Sequence, residues 1–144
     1  MTENETLFGK DLAQLSGLCN ELGMPRFAAR QLARWLYARR TEEPARMSDI
    51  AQRFREALAA RFTPALTPPE RVDLSVDGTK KYLFRTSRGA FIESAYIPDG
   101  ERATLCVSSQ AGCRMGCVFC ASTIGGLKRN LSASEMLGQI YQIQ

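Results

Sequence analysis

Cys113-Arg-Met-Gly-Cys117-Val-Phe-Cys120 sets three thiols within eight residues, at a C-x3-C-x2-C spacing. A cubane 4Fe-4S cluster ordinarily takes four thiolates, one on each iron. Three thiolates from one loop leave one iron without a protein ligand, and an external molecule can occupy that position. Gly112 and Gly116 allow the backbone to wrap closely around an inorganic core. The alternative is a structural zinc site, with Cys106 as the fourth thiolate of a tetrahedral shell. Zinc sites favour paired C-x2-C elements, and only one such pair is present. Either way the loop is a metal-thiolate element.

Composition agrees. Five cysteines (Cys19, Cys106, Cys113, Cys117, Cys120), an odd number with three clustered, make a poor disulfide framework and a good metal site in a reducing compartment. Histidine, the commonest metal ligand and general base, is missing altogether. No apolar run is long enough to span a membrane, and the polar, acidic start Met-Thr-Glu-Asn-Glu-Thr is no secretory signal. The expected location is the cytoplasm. Net charge is +4, a mild excess, but its placement is uneven: Arg26, Arg30, Arg34, Arg39 and Arg40 fall in a stretch without a single acid.

Working upstream from the loop, the pattern alternates. Strands are expected over Arg71–Val76, Lys80–Thr86, Ala90–Ile97 and Ala103–Ser108, joined by turns at Asp77-Gly78, Ser87-Arg88-Gly89 and Pro98-Asp99-Gly100. This reads as an antiparallel meander. Thr63-Pro-Ala-Leu-Thr-Pro-Pro69 is a linker, since three prolines in seven residues suit neither a helix nor a sheet. Before it, helical spacing predicts one helix over Leu7–Leu22, stopped by Gly23. A second follows Pro25, with an apolar face of Phe27, Leu32, Trp35 and Leu36. A third, capped by Ser48 or Asp49, would bury Ile50, Phe54, Leu58 and Phe62. Cys19 reads as core. Downstream of the loop, Ser132 and Glu135 form a capping box ahead of a helix carrying Met136, Leu137, Ile140 and Tyr141. Lys128 and Arg129, just before that helix, are candidate anion contacts. The division is therefore residues 1–69, helical plus linker, and 70–144, sheet and cysteine loop.

The segment Arg102-Ala-Thr-Leu-Cys106-Val-Ser-Ser-Gln-Ala-Gly-Cys113, followed by Cys120-Ala-Ser-Thr-Ile-Gly-Gly-Leu-Lys-Arg-Asn-Leu131, closely resembles the RlmN family. These are radical S-adenosylmethionine enzymes that methylate carbon 2 of adenine in large-subunit ribosomal RNA and in some transfer RNAs. Asp77–Phe84 and Phe91–Pro98 are similar as well. The resemblance implies an α+β fold: a helical accessory RNA-binding domain, a β meander, and the first β/α unit of a radical S-adenosylmethionine barrel. It implies a 4Fe-4S cluster on Cys113, Cys117 and Cys120, with S-adenosyl-L-methionine bound at the open iron. Phe119 matches the aromatic residue usual before the last cysteine, beside the cofactor. Cys106 matches a cysteine that helps resolve a covalent enzyme–RNA adduct, and Glu93 a glutamate that accepts a proton. The implied partners are ribosomal and transfer RNA and a flavodoxin-like electron donor. Taken alone, Glu93 reads as a solvated strand residue, Cys106 as a small buried apolar residue and the arginine stripe as a solvated face. Antibiotic-resistance methyltransferases acting at carbon 8 of the same adenine are the close enzymatic rival, and the Ser-Ser-Gln and Ala-Ser-Thr-Ile-Gly-Gly runs favour carbon 2. A stand-alone RNA-binding module and a zinc-stabilised structural module are the readings from other classes.

Only 24 residues follow Cys120, whereas a β/α barrel typically needs 200 or more. The family's glycine-glutamate-proline stretch and its C-terminal methyl-carrying cysteine are missing from this sequence. The expectation is an N-terminal fragment, without turnover when isolated.

Overall fold

The computed structural model describes residues 5–143. It divides into two compact units, Met1–Ala65 and Leu66–Gln144, and the division falls within the proline-rich stretch. Among the described residues no helix is long and apolar enough to cross a membrane.

The first unit is helical. α1 spans Leu12–Glu21, five residues shorter at its start than the spacing predicts. The reason is local. Asp11 Oδ1 accepts a hydrogen bond from the Gln14 N–H while the Asp11 N–H donates to Gln14 Oε1, a reciprocal cap that fixes the first turn there. Leu7 is buried ahead of the helix rather than in it. At the other end, Gly23 donates to Asn20 and Met24 to Cys19, the paired closure of a Schellman motif. α2 spans Ala28–Ala33 and continues as a wider π-helical turn over Arg34–Ala38, where Arg39 N–H reaches back five residues to Arg34. Its buried face is Ala28, Ala29, Leu32, Trp35 and Leu36, whereas Phe27, expected on that face, is 63% exposed.

α3 spans Gln52–Arg61 and begins after Ala51 with no side-chain cap. Neither Ser48 nor Asp49 caps it. The Asp49 carboxylate instead accepts the Trp35 indole N–H, and a buried indole without a partner would cost more than an open helix end in water. Of the expected apolar set Ile50, Leu58 and Phe62 are buried and Phe54 is half-buried. Cys19 lies in the core, 1% exposed, and burial pushes its thiol pKa up.

The second unit holds a four-stranded antiparallel sheet, β1 (Arg71–Leu74), β2 (Lys80–Arg85), β3 (Phe91–Asp99) and β4 (Arg102–Cys106), in the order β1-β2-β3-β4. The meander follows from its turns: Gly78 N–H closes onto Ser75, and Gly89 N–H onto Thr86. One face carries Tyr82, Phe84 and Ile92, buried together with Leu66, Ala111 and Leu131; Tyr96, Met136 and Ile143 pack against this cluster. A separate two-stranded ribbon pairs β5 (Gln110–Ala111) with β6 (Arg129–Asn130), antiparallel. α4 (Ala133–Ile143) follows, its Ser132–Glu135 capping box formed. The buried positions of α4 are Glu135, Gly138 and Gln139, and the expected apolar set is only half-buried. The sheet pairs are all antiparallel among the described residues.

Candidate metal centre

The cysteine loop runs from Gly112 to Lys128 between the two strands of the β5–β6 ribbon, so its ends are held side by side. Gln110 and Ala111 pair with Asn130 and Arg129, the Lys128 N–H donates to the Ala111 carbonyl, and the Leu131 N–H donates to Ser109. The closure is tight at one point. A Cβ on Gly112 would lie 2.0 Å from the Gly126 carbonyl oxygen, and Gly112 has φ +74°. Both facts require glycine: no side chain fits between the two backbones, and the backbone there is left-handed. Gly116 also has a positive φ, +69°, but a Cβ there would meet nothing within 4 Å.

Inside the loop Cys113, Cys117 and Cys120 are each half-buried, with free thiols. Short local bonds shape the turn. Cys120 N–H donates to the Cys117 carbonyl, Thr123 Oγ donates to the carbonyls of Cys120 at 2.9 Å and Cys117 at 3.3 Å, and Met115 N–H points at Cys113 Sγ at 3.5 Å. Backbone donors aimed at a sulfur favour its thiolate and tune a bound cluster. The loop's apolar side chains stand outward: Phe119 is 90% exposed, and Met115, Val118 and Ile124 are exposed as well.

The donor set and the glycine-lined closure suit a thiolate-ligated cluster held at the rim of the unit. Among the described residues no three His, Cys, Asp or Glu side chains gather closely enough to hold one metal ion. A cubane sets each thiolate on a different iron, so its ligands need not share one coordination sphere.

Two supports adjoin the loop, the Arg129–Glu135 pair and the Gln139 clamp, and both escape sequence reading. The Glu135 carboxylate accepts a two-pronged pair from Arg129 on β6 and a further bond from the Ser132 N–H. Burial pushes the Glu135 pKa up, but the Arg129 guanidinium and the Ser132 donors outweigh it and hold it below the usual carboxylate value. Arg129 is therefore engaged with Glu135, which corrects its reading as an anion contact, while Lys128 is exposed. The second support is Gln139, fully buried on α4. Its Oε1 accepts from Ser94 Oγ at 2.6 Å and from the Ser108 N–H at 2.7 Å, and its Nε2 donates to the Ser108 carbonyl at 2.8 Å. One amide thus ties β3, the segment leaving β4, and α4 together just ahead of the loop. No local pattern announces it, because its partners lie 31 and 45 residues away.

Glu93 and Cys106 lie on the opposite face of the sheet from this core. Ala95 pairs with Cys106, and Glu93 sits two residues from Ala95 on the same face. They are diagonal neighbours on adjacent strands, with Cβ atoms about 7–8 Å apart in ordinary sheet geometry. Both are exposed. Cys106 is thus not the buried apolar residue its composition suggests, and Glu93 forms an exposed ion pair with Lys81 at 3.3 Å. The loop thiols, Cys106 and Glu93 all belong to the second unit.

Comparison with known proteins places this arrangement. Residues 5–63 match the family described as ribosomal RNA large subunit methyltransferase N-terminal domain. The chain is 48% identical over 145 aligned positions to the probable dual-specificity RNA methyltransferase RlmN of Porphyromonas gingivalis, covering 99% of this chain and 41% of that protein. It is 40% identical over 135 positions to the dual-specificity RNA methyltransferase RlmN of Halorhodospira halophila, covering 94% of this chain and 38% of that protein. A radical SAM methyltransferase from Sphaerobacter thermophilus, known from a crystal structure, superposes with a TM-score of 0.85 at 40% identity, over 94% of this chain and 40% of that one. The chain spans about two-fifths of the length of the curated relatives it matches. The resemblance drawn from Arg102–Leu131 is borne out: nearly the whole length of the chain is similar to RlmN proteins, and residues 5–63 match the model of an N-terminal domain.

Proposed function

We propose, from this similarity to RlmN proteins, that the chain forms the cluster-binding and RNA-recognising part of a radical S-adenosylmethionine methyltransferase. Its target is carbon 2 of adenine in ribosomal and transfer RNA, and it works in the cytoplasm. The observation that carries the reading is the cysteine loop: three partly exposed thiols on a segment pinned at its base by β5–β6 and by the Gly112–Gly126 contact.

In this reading Cys113, Cys117 and Cys120 hold a 4Fe-4S cluster. Such a cluster, when bound, would supply the low-potential electron that reductive cleavage of S-adenosylmethionine requires. The chain's own residues bind, orient and handle protons. The ribbon fixes the loop ends, the Met115 N–H points at Cys113 Sγ, and Phe119 would border the cofactor. Cys106 offers an accessible thiol for resolving an enzyme–RNA adduct. Glu93, diagonal to it, accepts the proton released from the ring. The Lys81 ammonium lies 3.3 Å from the Glu93 carboxylate, on the same exposed face of the sheet. β4, the cysteine loop and α4 correspond to the opening β/α unit of the family's barrel, the electron donor is a flavodoxin-like protein, and the helical unit contacts RNA.

The test is anaerobic reconstitution with iron and sulfide, reduction, and electron spin resonance with and without S-adenosylmethionine. A cubane signal that shifts on adding the cosubstrate is the expected result. A signal indifferent to it would remove the open-iron assignment from this chain.

A further inference from the structure

The helical unit carries one face that its own core does not explain. Phe27, Arg30 and Arg34 recur at i, i+3 and i+7, and all three are exposed, with Arg26 beside them. The same helix buries Ala28, Ala29, Leu32 and Leu36 on its other side, so Phe27 is left outside although a sizeable core lies one face away. Among the described residues Arg26, Arg30 and Arg34 have no carboxylate partner. Asp49, which is bonded to this helix, has its carboxylate committed to the Trp35 N–H, and its backbone carbonyl accepts from Gln31. The other aromatics of the segment are occupied: Trp35 is covered by Arg39 at 4.0 Å, and the Tyr37 hydroxyl donates to Lys10.

We infer that this face binds unpaired RNA, with a base stacked on Phe27 and the neighbouring phosphates on Arg26, Arg30 and Arg34. The inference rests on the RNA-directed reading above and deepens it, because a duplex would need only the charges. An exposed aromatic ring with exposed arginines at the neighbouring helix positions 26, 30 and 34 matches the two requirements of single-strand binding: a stacking platform and a positive track along the backbone. Paired bases present no free face to such a ring, so loops, bulges and single strands are the preferred class.

The test uses the full chain with a fluorescent 12-nucleotide single-stranded RNA and the corresponding duplex, each titrated across a range of salt. The expected result is a preference for the single strand, reduced about tenfold by Phe27→Ala with the salt slope unchanged and restored by Phe27→Trp. Arg30→Gln with Arg34→Gln should flatten the slope by about 1.4, the loss of two single-strand phosphate contacts. Since Phe27 is exposed, circular dichroism should show the variant folded as the parent. Equal binding by Phe27→Ala, or a preference for duplex, overturns the inference while leaving RNA binding intact. If the parent binds no RNA and instead forms a dimer that Phe27→Ala dissolves, the face belongs to a second copy of the chain. That result would overturn the RNA reading as well, whereas the iron content of the cysteine loop would be untouched.

Discussion

Leu15, Leu32, Leu36 and Leu58 of the helical unit are wholly buried, whereas Val118, Phe119 and Ile124 of the cysteine loop are 102, 90 and 86% exposed. All are large apolar side chains, but their surroundings differ. In the helices a period of 3.6 turns the apolar residues toward one another. The loop is anchored only at its base, by two strand pairs and one glycine contact, so its side chains have nothing to pack on. The comparison separates two duties. Buried apolar residues hold each unit together, and the loop's exposed ones contribute nothing to that packing.

The largest expected effect breaks the comparison at two phenylalanines. Phe84→Ala empties a fully buried position and should cost about 3–5 kcal/mol, while Phe119→Ala should change stability by less than about 0.5 kcal/mol. Thermal or denaturant unfolding of the two variants checks this, and equal losses would mean that the loop is packed.

Next come two glycines of similar φ. Gly112→Ala drives a methyl into the Gly126 backbone and should cost about 3 kcal/mol and most of the iron uptake. Gly116→Ala meets open space and should cost only the backbone strain, about 1 kcal/mol. Iron per chain and midpoint temperature separate the two.

Gln139→Leu keeps the volume and removes the clamp, leaving the Ser94 hydroxyl and the Ser108 backbone unpartnered for about 1–3 kcal/mol. The loss should show as faster amide exchange at Ser108, just ahead of the loop.

The smallest effect is a pH dependence. Because Arg129 and Ser132 hold the Glu135 pKa down, its contribution is fully present above the unfolded value, near 4.3, and is lost as pH falls through the lowered folded value. The parent's stability advantage over Glu135→Gln should therefore shrink between about pH 5 and pH 3. An advantage that grew toward acid would contradict the ion-pair account.

How much was legible follows from range. The cysteine loop and the strand meander are written locally, in ligand spacing and turn residues, and both are read from a few neighbours. The Ser132–Glu135 cap is local too. The clamp at Gln139 is not, since its partners are brought in by the sheet. Asp49 looked like a helix cap until the indole of Trp35, 14 residues earlier, took its carboxylate. Phe27 has the periodicity of a core residue and the environment of a surface one, and periodicity alone cannot distinguish the two. Glu93 stayed ambiguous for the same reason: alternation gives two faces, and only the packing of Ile92 and Ser94 decides which is buried.

The most direct test of the account is the metal content of the chain after anaerobic reconstitution, beside a variant with Cys113, Cys117 and Cys120 all changed to alanine. About four irons and four sulfides per parent chain, lost in the variant, is the predicted result. One firmly held zinc and no stable iron would contradict it, and would make the loop a structural thiolate site instead.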